Sequence, residues 1–480
     1  MSRIIFFEKE EEKMKKLLIG FLAVGLIMGF AMTASAQPNI KASGQLYMYG
    51  SYTDNLSLIE NGDHRANVAN RLRMQFEIQI QEGLKLTTRF DALERAWGQT
   101  GAVLTQNTTN PLTANFIYTR PEQNISFERA YVTFNALYGV FDVGYQQSRI
   151  WGTCTFCDDY DTDAGIHYRY MMGPWTFGLE WEKRADGSQT SFTNGLYPAQ
   201  QGEGSATQGG TTLPGSDNDH DIYHIYAIYR WATGQAGLRY ELDNDASAGN
   251  IAANQALTLN GVVLGPYTSQ FMELAPYVQW KFGPFDLEGE LRYIWGKIDR
   301  DGAATDIDRK GYSLYLMGKY TTGAFYGGLE FAYMTGDDPN TTDKWEAGVA
   351  GGTTWDPMLI YGNYWYGKFQ GSMGPGTGAT ISNQESNVIM LKPFVGWKVN
   401  PQLEIVAQYA WLKAEAVASG RGDEYGKEFD LYATYKLYNN LAYTVGFAYF
   451  WTGDWFKGSA AQNFNIDDNF LVMNALNLSF

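Results

Sequence analysis

The chain has 480 residues, of which 45% are hydrophobic and 15% aromatic, yet only 18% are charged and the mean hydropathy is −0.32. A helical membrane protein would be far more apolar, and a net charge of −16 without any Lys/Arg cluster speaks against nucleic acid as a partner. Two cysteines make no disulfide scaffold, so core packing or closure of the chain on itself must hold the fold.

The first element is one long apolar run from Leu17 to Ala36. Lys13, Lys15 and Lys16 precede it, and Ala34-Ser35-Ala36 ends it as a small-residue cleavage site. The expectation is a secretory signal peptide over residues 1–36, with the true start at Met14. The acidic stretch Met1–Lys13 is unlike a signal n-region and reads as an over-long start, a genuine acidic extension being the alternative. Residues 37–480 are then one domain. No later segment has about 18 uninterrupted apolar residues, so no spanning helix is expected.

From there the chain alternates with period two. Arg71 to Ile80 puts Arg, Arg, Gln, Glu and Gln on one face and Leu, Met, Phe, Ile and Ile on the other. Phe285–Tyr293 and Phe429–Leu437 repeat the pattern, which is that of strands. Aromatics sit near many strand ends: Trp175, Trp181, Trp231, Trp280, Trp295, Trp397, Trp411, Tyr443 and Trp451. Two aromatic belts around an apolar band are the expected mark of a membrane barrel. Glu128 and Arg129 fall on opposite faces of one strand, which points to a bulge there, a shifted register being the alternative.

Tight connections carrying Gly, Pro or Asn alternate with long polar ones. The tight ones include Gln81-Glu82-Gly83, Met172-Gly173-Pro174, Gly283-Pro284 and Tyr438-Asn439-Asn440. The tally predicts an all-β fold, a transmembrane antiparallel barrel of about 18 strands with 16 as the alternative. Even parity puts both termini on the periplasmic side, with short turns there and the long loops facing outward.

The last element, Asn469–Phe480, alternates Phe470, Val472, Leu476, Leu478 and Phe480 against Met473, Ala475, Asn477 and Ser479. An edge strand of a soluble sandwich would read the same way, but an open edge ending on a bare aromatic invites aggregation. In a closed barrel it pairs with the first strand, near Ile40–Tyr52, and Phe480 faces lipid at the periplasmic rim.

Lys41-Ala42-Ser43-Gly44-Gln45, Asn70-Arg71-Leu72-Arg73, Phe90 to Gly98 and Phe127 to Tyr131 follow one another in an order that resembles Gram-negative diffusion porins. The likeness is to the homotrimeric porins of sulfate-reducing bacteria, and more loosely to alginate-export barrels. It covers about residues 40–170 and is architectural thereafter. It implies a water-filled outer-membrane channel for passive diffusion of small hydrophilic solutes and ions, without enzymatic chemistry or cofactor. The implied partners are outer-membrane lipid and lipopolysaccharide, the barrel assembly machinery and two further copies in a homotrimer. A C-terminal Phe resembles the assembly signal of such barrels, which makes Phe480 its candidate here. The count of eighteen also suits polysaccharide (alginate-type) export or a substrate-specific channel, and these stand as the alternative.

In the resembling porins the third outer loop narrows the lumen. Here that connection, roughly Arg149–Asp163, holds Asp158, Asp159, Asp161 and Asp163. Arg71 and Arg73 on one strand, with Lys85 and Arg89 on the next, give a basic wall. Acidic loop and basic wall together predict a constriction with a transverse field, and the acidic balance of the chain predicts a weak cation preference. A solvated outer loop is the alternative.

Cys154 and Cys157 in this loop are expected to form a local disulfide. Two free thiols, or a metal site with His167 and Asp158, are the alternatives. His167 and His224 are expected on the lumen face beside Glu180 and Glu182, without a serine nucleophile. No His follows the Cys-x-x-Cys pair, which excludes c-type haem attachment. The acidic clusters at Asp217–Asp221, Asp299–Asp308 and Asp337-Asp338 lack EF-hand spacing and read as solvated loops.

Overall fold

The computed structural model describes residues 38–98, 125–147, 151–153, 162–185, 219–247, 258–259, 262–263, 267–300, 305–348, 355–370, 373–375 and 386–480. The signal segment, Cys154 and Cys157, and Asp158, Asp159 and Asp161 lie outside the described residues.

Eighteen strands among the described residues form one ring. They are β1 (Asn39–Asp54), β2 (Arg65–Gln81), β3 (Leu84–Ala96), β4 (Ile125–Ala136), β5 (Gly139–Gln147) and β6 (Thr162–Met172). Next come β7 (Trp175–Ala185), β8 (His220–Trp231), β9 (Gly234–Asp245), β10 (Tyr267–Phe282), β11 (Phe285–Arg300) and β12 (Ile307–Thr322). The ring is completed by β13 (Phe325–Met334), β14 (Val388–Lys398), β15 (Leu403–Lys413), β16 (Glu424–Tyr438), β17 (Leu441–Thr452) and β18 (Asn469–Ser479). Each pairs antiparallel with its chain neighbour, and β1 pairs with β18 from Gln45↔Ser479 to Asp54↔Phe470. Closure leaves no row of unpaired backbone groups in hydrocarbon, where each would cost several kcal/mol.

The period-two sequence decides which face meets lipid. Along β7, Thr176, Glu180 and Glu182 are buried, while Trp175, Phe177 and Leu179 are 38%, 38% and 53% exposed. Apolar residues point out because hydrocarbon covers them; polar residues point in, where water or other protein groups meet them. Trp175, Trp280 and Trp397 lie near the short turns, and Trp411 and Trp451 near the loop end. Gly173, Gly283 and Gly323 open two-residue turns with φ of +57°, +56° and +58°, which a side chain would resist. The expected bulge is present: Arg89 pairs with Arg129 and Phe90 with Phe127, leaving Glu128 as the extra residue.

One expectation fails. The long connections do not all face outward, because residues 355–370 of the β13–β14 loop lie inside the barrel. Trp355, Met358, Ile360, Tyr361 and Tyr366 are buried in one cluster with Tyr49, Met390, Ala410, Phe450, Leu471 and Met473 of the wall. This loop also contains a helix, α1 (Tyr364–Gln370), where none was expected. Asn363 caps it, its Oδ1 accepting from the Tyr366 N–H at 2.8 Å. The segment is apolar enough to be driven from water, and the inner wall near the loop end is apolar opposite it.

Candidate functional site: the narrowed lumen

Arg71 and Arg73 lie on β2, Lys85 and Arg89 on β3, and their charges are answered within the sheet. Arg73 of β2 grips Asp91 of β3 with Nε–Oδ1 and Nη2–Oδ2 both at 2.7 Å. Its Nη2 also lies 3.1 Å from Glu128. Arg89 reaches Glu128 at 2.7 Å, Lys85 reaches Glu77 at 3.5 Å, and Arg71 lies 3.8 Å from Asp91 and 3.7 Å from Glu94. Arg71, Arg73 and Arg89 thus come together through acids on β3 and β4 that the sequence reading did not assign. Asp163 is not in the loop: it is the second residue of β6 and pairs with Arg184 of β7 at 3.1 Å. The strand starts one residue before it, so its side chain belongs to the wall.

The described part of the third long connection is anchored inside the barrel. Trp151 is 2% exposed and packs among Tyr226, Ile228, Ala275 and Tyr277, across the lumen face of β8 and β10. Its indole N–H donates to the Ala275 carbonyl at 2.8 Å. The N–H and Oγ1 of Thr153 both donate to Oε2 of Glu290 on β11, each at 2.8 Å. Trp151 and Thr153, a few residues after the end of β5, therefore touch wall three to six strands away from it.

The β13–β14 loop covers a second arc of the inner wall, and nothing in the sequence reading placed it there. The N–H groups of Ile360 and Tyr361 donate to Glu428, and that of Leu359 to Asp430, both acids fully buried on the inner face of β16. Lys392 of β14 donates to the Pro357 carbonyl at 3.0 Å and pairs with Glu330 at 2.9 Å. Across the seam, Trp365 packs at a tilt against Tyr47 of β1 at 4.6 Å between centroids, with the Arg71 guanidinium 5.0 Å from its ring. Lys368 of α1 pairs with Glu94 of β3 at 2.8 Å, and Gln370 donates to Ser51 at 2.7 Å. The Tyr366 hydroxyl meets Thr53 Oγ1 at 3.0 Å, and burial pushes this phenol up to about 12. The signal was present: Trp355, Tyr361, Tyr364, Trp365, Tyr366 and Phe369 crowd one stretch of an otherwise polar loop. A cavity of about 520 Å³ opens between this segment and the wall, lined by Asp356, Met358, Lys392, Glu404 and Tyr432 among others.

A third group lies on β6 to β11. His167 and His224 face the lumen as predicted, each 5% exposed, beside Glu180 and Glu182. Beyond them Arg239 and Arg292 converge on Glu273 at 3.1 and 2.9 Å. The inner wall is thus a lattice of paired charges. Such a surface favours hydrated, polar solutes and gives an apolar one nothing in return for its passage.

The family model for Gram-negative porin matches residues 23–364, more than half of the chain. No curated protein matches the sequence. Among solved structures, Acinetobacter baumannii OccAB4 is similar at 9% identity, covering 92% of this chain and 99% of that one, with a TM-score of 0.49. OpdK from Pseudomonas aeruginosa is similar at 14% identity over 92% and 99%, TM-score 0.47. The anion-selective porin from Comamonas acidovorans is similar at 12% identity over 92% and 100%, TM-score 0.43. The family match, on a closed barrel of eighteen strands with a polar inner wall, makes this chain a member of the Gram-negative porin family and an outer-membrane diffusion channel.

Proposed function

We propose that the channel passes small hydrophilic solutes and ions passively, through a bore narrowed from two sides. The observation that carries this reading is the seating of residues 355–370 on Glu428 and Asp430, with Trp151 and Thr153 seated on the wall of β8 to β11. Two inward segments on separate arcs of wall limit the size of what passes. The acidic residues Asp158, Asp159 and Asp161 belong to the same connection as Thr153, five to eight residues on in sequence, and on this reading they contribute negative charge to it. Together with inner-wall acids such as Glu180, Glu182, Glu288, Glu290 and Glu404 they favour cations weakly.

The same reading has the chain exported by a signal peptide over residues 1–36 and assembled with both termini in the periplasm. It further has Cys154 and Cys157 bonded, and three copies associated in the membrane. Incorporation of the purified protein into a planar bilayer tests the channel. Stepwise conductance is expected. Folded protein that leaves the bilayer closed would overturn the proposal.

A further inference from the structure

The register of the sheet sets Asp142 of β5, His167 of β6, Glu180 of β7, His224 of β8, Glu241 of β9 and Glu273 of β10 directly opposite one another. They form one row across the inner wall at mid-strand height. Within this row His167 and Glu180, joined by Glu182 two residues along β7, bring one ligand atom each to within 4.8 Å of one another. All three side chains are buried. Nε2 of His167 stands 3.0 Å from Oε1 of Glu182, yet it makes no hydrogen bond of acceptable geometry. A buried imidazole nitrogen aimed at carboxylate oxygens in this way is the arrangement that an ion between them would complete.

The local backbone keeps that space open. A Cβ on Gly165 would stand 3.2 Å from Nε2 of His167, 3.4 Å from Cγ of Glu182 and 2.8 Å from the Trp181 carbonyl oxygen. Glycine lets Glu182 lean across β6 toward the imidazole. The neighbouring residues are arranged as an outer shell. Oε2 of Glu180 lies 3.3 Å from Nδ1 of His224, whose Nε2 lies 2.9 Å from Oε2 of Glu241. The second contact is a hydrogen bond and the first a close approach without one, and carboxylates and imidazoles placed around a site in this way orient its ligands. The nearby guanidinium of Arg239 is engaged by Glu241 and Glu273 at 3.0 and 3.1 Å.

We propose that His167, Glu180 and Glu182 form a binding site for one divalent transition-metal ion, of which Zn²⁺ is the representative, on the lumen wall. One imidazole nitrogen and two carboxylate oxygens suit such an ion better than Ca²⁺ or Mg²⁺, which take oxygen ligands. Two carboxylates neutralise a divalent charge, and three protein ligands leave a coordination position for water or a passing solute.

The test uses the full barrel, refolded in detergent and stripped with a chelator. Equilibrium dialysis against Zn²⁺ with elemental quantification gives stoichiometry and affinity, and visible absorption of Co²⁺ reports an ordered ligand set. One equivalent per chain is expected. H167A and E182Q weaken binding at least about tenfold, and E241Q, acting through His224, by a smaller factor. His64→Ala, at an exposed loop histidine outside the row, leaves it unchanged. E182Q keeps the shape of the side chain, so it decides the matter if H167A does not fold. Folded wild type that binds no zinc, or binding that E182Q leaves intact, overturns the proposal.

Discussion

Oε1 of Glu428 accepts the backbone N–H of Ile360 at 2.7 Å, inside the barrel and shielded from water on every side. Its Oε2 accepts from Tyr361 at 2.9 Å. One side chain of the wall thus holds two successive amides of a loop that the chain could otherwise have left outside. Glu428→Ala leaves both donors without an acceptor, at about 1–3 kcal/mol each. Single-channel recording is expected to give larger and noisier conductance than wild type. Identical traces would mean that residues 355–370 do not limit the bore.

The Tyr366 phenol gives the docking of that loop a pH dependence. Burial raises its ionisation to about 12, so the docked loop prefers the neutral form. Released into water, the phenol ionises near its ordinary value of about 10. Docking is therefore fully supported below about pH 10 and is lost as pH climbs toward 12. Conductance should rise across that window, and Tyr366→Phe should remove the step.

Trp151 holds the third long connection against the opposite arc. Its replacement by Ala removes a buried indole and its hydrogen bond to Ala275, a loss of about 3–5 kcal/mol. The loop is expected to become a site of limited proteolysis in otherwise intact barrels, while Trp97→Ala, at an exposed outer position, changes nothing. Equal protease resistance in both variants would refute the anchor.

Phe480 is 52% exposed at the short-turn rim, its backbone bonded to Gly44 and its ring over that glycine. Its removal takes away one pair of closing hydrogen bonds and none of the inner wall. Yield of folded barrel in the outer membrane should fall, whereas the conductance of the barrels that do form should match wild type.

Reversal potential under a salt gradient checks the charge balance of the lumen. A weak cation preference is expected from the acid-rich inner wall and the Asp158, Asp159, Asp161 stretch. A clear anion preference would contradict it.

The barrel was legible because its rule is local. Each strand must alternate to face lipid on one side and the lumen on the other, so Arg71–Ile80 and Asn469–Phe480 declare their faces residue by residue. Gly, Pro and Asn mark the turns for equally local steric reasons, and even the bulge at Glu128 is visible as a break in the alternation. The charges of the inner wall were legible only in part. The inward faces of Arg71, Arg73 and Arg89 could be read from their strands, but not the acids that answer them, because Asp91 and Glu128 meet those arginines only once β2, β3 and β4 are in register.

What fills the lumen was decided by the tertiary structure alone. Composition around residues 355–370 offered a cluster of aromatics, but whether such a cluster covers an outer rim or enters the barrel depends on acceptors seventy residues away in sequence, Glu428 and Asp430. The row from Asp142 to Glu273 has the same origin: each member is an ordinary inward residue of its own strand, and only pairing across six strands makes them neighbours. Sequence determines which face a side chain takes, since that is set by the residue's parity in its strand. The partner it meets there is set by strand register and ring closure, and these exist only in the folded barrel.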